Sequence, residues 1–307
     1  MLTYLQAIIL GIFQGVTELF PVSSLGHSVL LVNLFGWNNL SGQQTAHAST
    51  FLNFIVMMHV ATAIALIIFY RAEWGRIVRG FIRTVQTKQI DSHDSDAKLA
   101  WLLIAATIPA GLVGLVFEHK LRAAFGTAFF AIIFIILNGI MLLKGDKLVT
   151  RAELNRPRRR PGASSDEIAA TRTSRVVSDH LTIERAVLIG FAQIGALFAG
   201  ISRSGITMLA GLRSGLDHQD AARFSFLLAT PIILLAGIYK LPSVLSNSAH
   251  GAMGPILVGS LLAGIGAYIS VRFLDSYFRN KSLRPFGWYC IGFGVFMLLV
   301  SIIRGAS

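Results

Sequence analysis

Six stretches of this chain, roughly 54–70, 99–117, 123–143, 224–239, 255–271 and 285–303, are apolar and contain no Asp, Glu, Lys or Arg. An uncharged apolar run of about 17–25 residues crosses the hydrocarbon core of a bilayer as a helix. Composition points the same way. The 307 residues are 54% hydrophobic and 14% charged, whereas soluble domains carry about 25% charged residues. Too few charges exist to clothe a water-facing surface, so the chain reads as an all-α polytopic membrane protein.

The charge is lopsided, 27 Lys+Arg against 15 Asp+Glu, and it is concentrated between the apolar runs. Residues 71–98 carry Arg71, Arg76, Arg79, Arg83, Lys88 and Lys98. Residues 144–185 carry ten Lys/Arg, with Arg158, Arg159 and Arg160 flanked by Pro157, Pro161 and Gly162, the composition of a flexible basic linker. Cytoplasmic loops of membrane proteins collect Lys and Arg, which accounts for the excess without any nucleic-acid partner. Placing both stretches inside also puts Arg272, Arg279, Lys281 and Arg284 inside, and the loop 240–254, with only Lys240, outside. Both ends of the chain then fall outside, and the run 158–160 serves topology and contact with anionic lipid. Cys290 is the one cysteine, so neither a disulfide framework nor a Cys-based metal site is expected. The first apolar segment lacks a basic leader and is expected to be retained.

Two further apolar segments, about 4–35 and 186–215, are interrupted by Gly, Ser and a charge, Glu18 in one and Arg203 in the other. Sliding the first onto the second by 179 residues pairs Ala7 with Ala186, Gly11 with Gly190, Gln14 with Gln193, Ser23 with Ser202, Gly26 with Gly205 and Leu30 with Leu209. Each half is thus one broken segment followed by three spans: residues 1–143, then the linker 144–185, then 186–307. An odd number of crossings inverts the second copy. The expectation is two inverted-topology repeats whose re-entrant helix-loop-helix tips meet near the membrane midplane, where such folds build their sites.

The first broken segment reads QGVTELFPVSSLGH from Gln14 to His27. Gln14 and Glu18 share a helix face, Pro21 ends that helix, and Ser23, Ser24 and His27 follow the turn. A carboxylate at membrane depth is costly and marks function by default. The second reads GISRSGIT from Gly200 to Thr207, where an arginine fork, hydroxyls and turn N–H groups suit a phosphate. Glu18 and Arg203 would also neutralise each other until an anion intervenes. A carboxylate beside a phosphate would hold a divalent cation, Mg²⁺ or Ca²⁺. A serine near a histidine is an activated nucleophile on phosphorus, with Arg203 stabilising the charge on the transferring group. A site at the midplane suits a lipid phosphate, so the residues alone leave a lipid-phosphate hydrolase or a carrier of an anionic lipid.

These two motifs resemble those of the undecaprenyl-diphosphatase (bacitracin-resistance) family. The likeness extends through residues 51–62, 106–118 and 220–231. It implies cation-dependent hydrolysis of undecaprenyl diphosphate to undecaprenyl phosphate at a site open to the outer face of the bacterial inner membrane. This would recycle the carrier for cell-wall synthesis and confer bacitracin resistance. It further implies functional roles at these positions: Glu18, with Gln14, is assigned to the cation, and Arg203, Ser202, Ser23 and Thr207 to the grip on the diphosphate. Ser24 is assigned as the nucleophile, a water being the alternative, with His27 as acid/base. Membrane lipids are the other expected partners; a homodimer is compatible with the pattern. Ala199, Leu25, Ile55 and Ala61 depart from the family's usual residues. The alternative is a flippase for an anionic isoprenoid lipid. His59, mid-span, reads as a hydrogen-bonded histidine inside the bundle, and His47, His93 and His250 as loop residues without ligand spacing.

Overall fold

The structure, a computed structural model, describes residues 2–37, 39–40, 50–91, 93–154, 177–247 and 252–305, and these form helices and turns with no strand among them. The arginine run 158–160, His47, His250 and the middle of the basic linker, 155–176, lie outside the described residues. In chain order the helices are α1 (Tyr4–Thr17), α2 (Ser24–Leu34), α3 (Thr50–Phe69), α4 (Arg71–Thr87), α5 (Ser95–Phe125) and α6 (Ala128–Leu154). Then follow α7 (Ile183–Gln193) with a 3₁₀ turn (Ile194–Leu197), α8 (Arg203–Arg213), α9 (His218–Asn247), α10 (Met253–Tyr277) and α11 (Arg284–Gly305).

Among the described residues, α3, α5, α6, α9, α10 and α11 are long and apolar enough to cross a membrane. This is a multi-pass membrane protein. Helices α1 and α2, with 14 and 11 residues, reach only about 21 and 16 Å at 1.5 Å per residue. Neither crosses a hydrocarbon core of about 30 Å, so the first segment is broken as the sequence suggests.

The helix bounds differ from the charge-free runs in instructive ways. Helix α5 continues through Glu118, Lys120 and Arg122 to Phe125, where Gly126 caps it, because a helix need not stop where charge begins. The next helix starts at Ala128, later than the expected 123. Residues 71–98, read as a loop, contain α4, whose Glu73, Ile77, Gly80 and Thr84 are buried at helical spacing and pack on α5.

Helices of the two halves pack on one another, and among the described residues α4 has no counterpart in the second half. Helix α1 lies along α10, α7 lies along α5, and α6 lies along α11. A methyl group at Gly11 would sit 2.3 Å from the Gly259 carbonyl oxygen, and one at Gly190 2.4 Å from that of Ala106. Both crossings therefore depend on bare backbone, the small-residue packing that membrane helices use. Residues 11 and 190 are equivalent under the 179-residue shift, so the sequence correspondence has a packing reason.

Two outcomes follow for thermal unfolding in detergent. Gly11→Leu overpacks the α1–α10 crossing, costs about 1–3 kcal/mol and lowers the midpoint. Gly75→Ala, where nothing stands within 4 Å, leaves it unchanged or raises it. The second concerns Glu73, whose carboxylate oxygens are buried without a hydrogen-bond partner. Burial pushes its carboxyl from 4.5 up to about 7, despite the nearby Arg223 and Arg76. An acid raised in the folded state costs nothing below the unfolded value; its penalty grows as pH rises from about 4.5 to about 7 and is complete above that. Glu73→Gln should therefore raise the midpoint more at pH 8 than at pH 5, by an amount on the order of 2–3 kcal/mol in stability.

Candidate active site

Both breaks end in the same capping arrangement. Ser23 precedes α2 and its hydroxyl accepts from the Gly26 N–H; Ser202 precedes α8 and its hydroxyl accepts from the Gly205 N–H. Hydroxyl caps of this kind satisfy the free N–H groups of a helix start. Ser23 does so from φ 72°, a left-handed conformation that a side chain tolerates only when its surroundings fix it. What fixes it comes from the other half: the Gly200 N–H, at φ 116°, also donates to Ser23 Oγ at 3.1 Å.

Further bonds stitch the two turns together. Asn138, fully buried on α6, donates from Nδ2 to the Pro21 carbonyl and accepts on Oδ1 from the Ser202 N–H, each at 3.0 Å. Ser204 Oγ donates to the Phe20 carbonyl at 3.1 Å. One amide on a third helix thus holds a backbone group of each turn.

At the junction lies Glu18, 6% exposed. Its Oε1 accepts from Arg203 Nη2 at 3.2 Å. Its Oε2 accepts from Ser24 Oγ at 2.6 Å and Gln14 Nε2 at 3.0 Å, and lies 3.1 Å from His59 Nε2. Arg203 Nη1 donates to the Ser225 carbonyl at 3.2 Å, while its Nε has no partner. A buried carboxylate needs this degree of pairing, since the desolvation of each ion otherwise outweighs their attraction.

Glu18, Ser23, Ser24, His59, Ser202 and Arg203 form part of the wall of a cavity of about 890 Å³. Most of the remaining wall is aliphatic. Ile104, Ile108, Leu112 and Leu115 of α5 line it, and all four are exposed. The cavity is therefore largely apolar, with the ionic cluster set into its wall.

The structure brings together Glu18, Ser23, Ser24, Ser202 and Arg203 as expected from sequence and places the other expected residues elsewhere. Gln14 stands behind Glu18 and does not line the cavity. The Thr207 hydroxyl is turned to the Arg203 carbonyl and to Ser225 Oγ, at 2.7 and 2.6 Å, away from the cavity. His27, expected beside Ser24, is fully buried and stacked on Phe293 and Tyr289. Its Nδ1 lies 2.7 Å from the Ser23 carbonyl and its Nε2 2.9 Å from the Tyr289 hydroxyl. With both nitrogens engaged and no contact with the cavity, it braces the turn. The histidine that meets the carboxylate is His59, a hydrogen-bonded histidine inside the bundle whose Nδ1 lies 2.7 Å from the Ile55 carbonyl and whose other nitrogen reaches Glu18. His59 and Asn138 share one sequence signal, a polar side chain in the middle of an apolar run.

The family described as Bacitracin resistance protein BacA matches residues 7–296. The chain belongs to this family. Among curated relatives, Undecaprenyl-diphosphatase 2 of Frankia alni is 44% identical over 94% of this chain and 95% of its own length. Undecaprenyl-diphosphatase of Mycolicibacterium paratuberculosis is 46% identical over 94% of both chains. Undecaprenyl-diphosphatase 2 of Chromobacterium violaceum is 40% identical over 97% of this chain and 99% of its own.

Three of the positions set apart in the sequence leave the junction intact. Ala199 is buried beside Gly200, whose N–H still reaches Ser23. Leu25 and Ile55 line the cavity wall, and Ile55 contributes its carbonyl to His59. The clamp can be tested directly. Asn138→Ala strands the Pro21 carbonyl and the Ser202 N–H, at about 1–3 kcal/mol for a buried group left unpaired. The thermal midpoint should fall by several degrees, whereas an unchanged midpoint would show that the turns hold without it.

Proposed function

We propose that this protein is a membrane phosphatase that hydrolyses undecaprenyl diphosphate to undecaprenyl phosphate and inorganic phosphate, recycling a lipid carrier of cell-wall synthesis. The reading is carried by a carboxylate, a hydroxyl and a guanidinium that converge in the wall of an apolar cavity lined by exposed aliphatic side chains. Such a cavity admits an isoprenoid tail from the bilayer while its headgroup meets the charges. The names of the relatives support this substrate, and the motifs that carry the resemblance are the residues of the junction.

In the proposed chemistry Arg203 grips the terminal phosphoryl group, with Ser202 and Ser23 beside it on the cavity wall. A phosphate that takes over Arg203 leaves Glu18 free to act on Ser24, whose hydroxyl already donates to Oε2 at 2.6 Å. Ser24 Oγ bonds to the terminal phosphorus as the anhydride P–O bond breaks. The Ser24 proton passes to Glu18, and undecaprenyl phosphate departs. Water then cleaves the Ser24–phosphate ester, releasing inorganic phosphate and returning the proton to Ser24. His59, bonded to both Glu18 and a carbonyl, orients the carboxylate.

A divalent cation fits this donor set when a phosphate accompanies it. Glu18 is the one carboxylate in the cluster, and among the described residues no three His, Cys, Asp or Glu gather as a metal site. Yet Gln14 Oε1 is a buried acceptor without a partner, and Mg²⁺ commonly takes one or two carboxylates plus substrate phosphates. Glu18 and Gln14 would hold it, and its charge would polarise the phosphoryl group. We place the protein in a bacterial inner membrane with the cavity reached from the outer face, both chain ends outside, and the two halves as inverted repeats. The exchanged α1–α10 and α7–α5 pairings support that symmetry. Carriage of an anionic isoprenoid lipid would use the same cavity, but a serine held on a carboxylate is superfluous to transport.

Purified protein in detergent should release inorganic phosphate from a C55 isoprenoid diphosphate when Mg²⁺ or Ca²⁺ is present, and should stop when the cation is chelated. Glu18→Ala and Arg203→Ala should each lower kcat at least about 100-fold, the scale of losing a transition-state partner. Folded wild type that binds the lipid and releases no phosphate would reject hydrolysis in favour of carriage.

A further inference from the structure

Gln193 occupies the position in the second broken segment that Gln14 occupies in the first. Gln14 donates to Glu18, four residues on; the residue four after Gln193 is Leu197. Gln193 has therefore kept the amide and lost the carboxylate it would meet. It is 2% exposed, and neither its Nε2 nor its Oε1 has a hydrogen-bond partner. A buried carboxamide with no partner is a standing cost to the fold. Nothing in the packing of α7 requires one, since the helix is held on α5 through the Gly190–Ala106 approach.

What Gln193 faces gives the cost a use. It lines the same cavity as Glu18, Ser24, Ser202 and Arg203, on a helix end whose place is fixed by that close crossing. An amide N–H₂ is a neutral donor, which adds hydrogen bonds to a phosphoryl oxygen without adding a second positive charge beside Arg203. We propose that Gln193 is a substrate-binding residue: its N–H₂ group donates to a phosphoryl oxygen of the lipid diphosphate, and its carbonyl accepts from water carried in with the headgroup. This rests on the reading of the cavity as a lipid-phosphate site.

The experiment compares Gln193→Leu, Gln193→Glu and Arg203→Ala with wild type in detergent. It reads the thermal midpoint and the kinetics of phosphate release from a C55 isoprenoid diphosphate. Gln193→Leu removes an unpaired buried amide, so its midpoint should equal or exceed that of wild type. Its KM should rise about tenfold, the scale of one lost hydrogen bond, with a smaller change in kcat. Gln193→Glu sets a negative charge against the phosphate and should raise KM further. A KM unchanged in both Gln193 variants, while Arg203→Ala abolishes release, would overturn the assignment of Gln193 and leave the phosphatase intact. Arg203→Ala with wild-type release would instead remove the phosphate site on which the inference stands.

Discussion

The contact between Glu18 and Arg203 joins the two halves of the chain at the point where each is broken. Neither residue could be buried alone: an isolated ion in the interior shifts toward its neutral form or the structure reorganises around it. The pair forms only if both helices stop short of crossing and both turns arrive together. The rest of the interior serves that meeting. Ser23 accepts from Gly200 across the seam, Asn138 holds Pro21 and Ser202, and Ser204 ties back to Phe20. The bare-backbone crossings at Gly11 and Gly190 set the depth of each broken segment against a helix of the other half.

Within this frame the two halves share geometry and differ in chemistry. Ser23 and Ser202 cap their helices in the same way, and the glutamines at 14 and 193 sit at matching points. The reactive groups do not match. Glu18 corresponds to Leu197, Ser24 to Arg203, and His27 to Ile206. The acid and its hydroxyl stand in one half, the guanidinium in the other. Two identical halves would set like charges against each other across the junction. Divergence at these positions gives one carboxylate facing one arginine, which can be neutral at rest and can open toward a phosphate.

Much of this was legible in the sequence because the bilayer leaves few options for an uncharged apolar run. Six spans, two broken segments and the residues at their tips follow from charge placement and from Gly, Pro and Ser at the breaks. Helix α4 was not legible as structure, because its arginines hide the buried face formed by Glu73, Ile77, Gly80 and Thr84. His27 was misplaced for a related reason. Spacing puts it one helical turn from Ser24, but only the fold shows that aromatic rings of α11 draw it away from the cavity. His59 and Asn138 are far in sequence from both motifs and reach the junction through tertiary packing alone. A mid-span polar residue signals that something is there without saying which partner it meets.

A double-mutant cycle on stability tests, without reference to activity, that Glu18 and Arg203 form one buried pair. Glu18→Gln, Arg203→Met and the double substitution would be compared by thermal unfolding in one detergent. Arg203→Met leaves Glu18 with His59, Ser24 and Gln14, and Glu18→Gln leaves Arg203 with the Ser225 carbonyl and no carboxylate, so both singles should unfold below wild type and Glu18→Gln by more. The double change removes both charges and should unfold above either single. A double variant less stable than both, by the sum of their separate losses, would mean that the two residues act independently and that the halves are not joined through this pair.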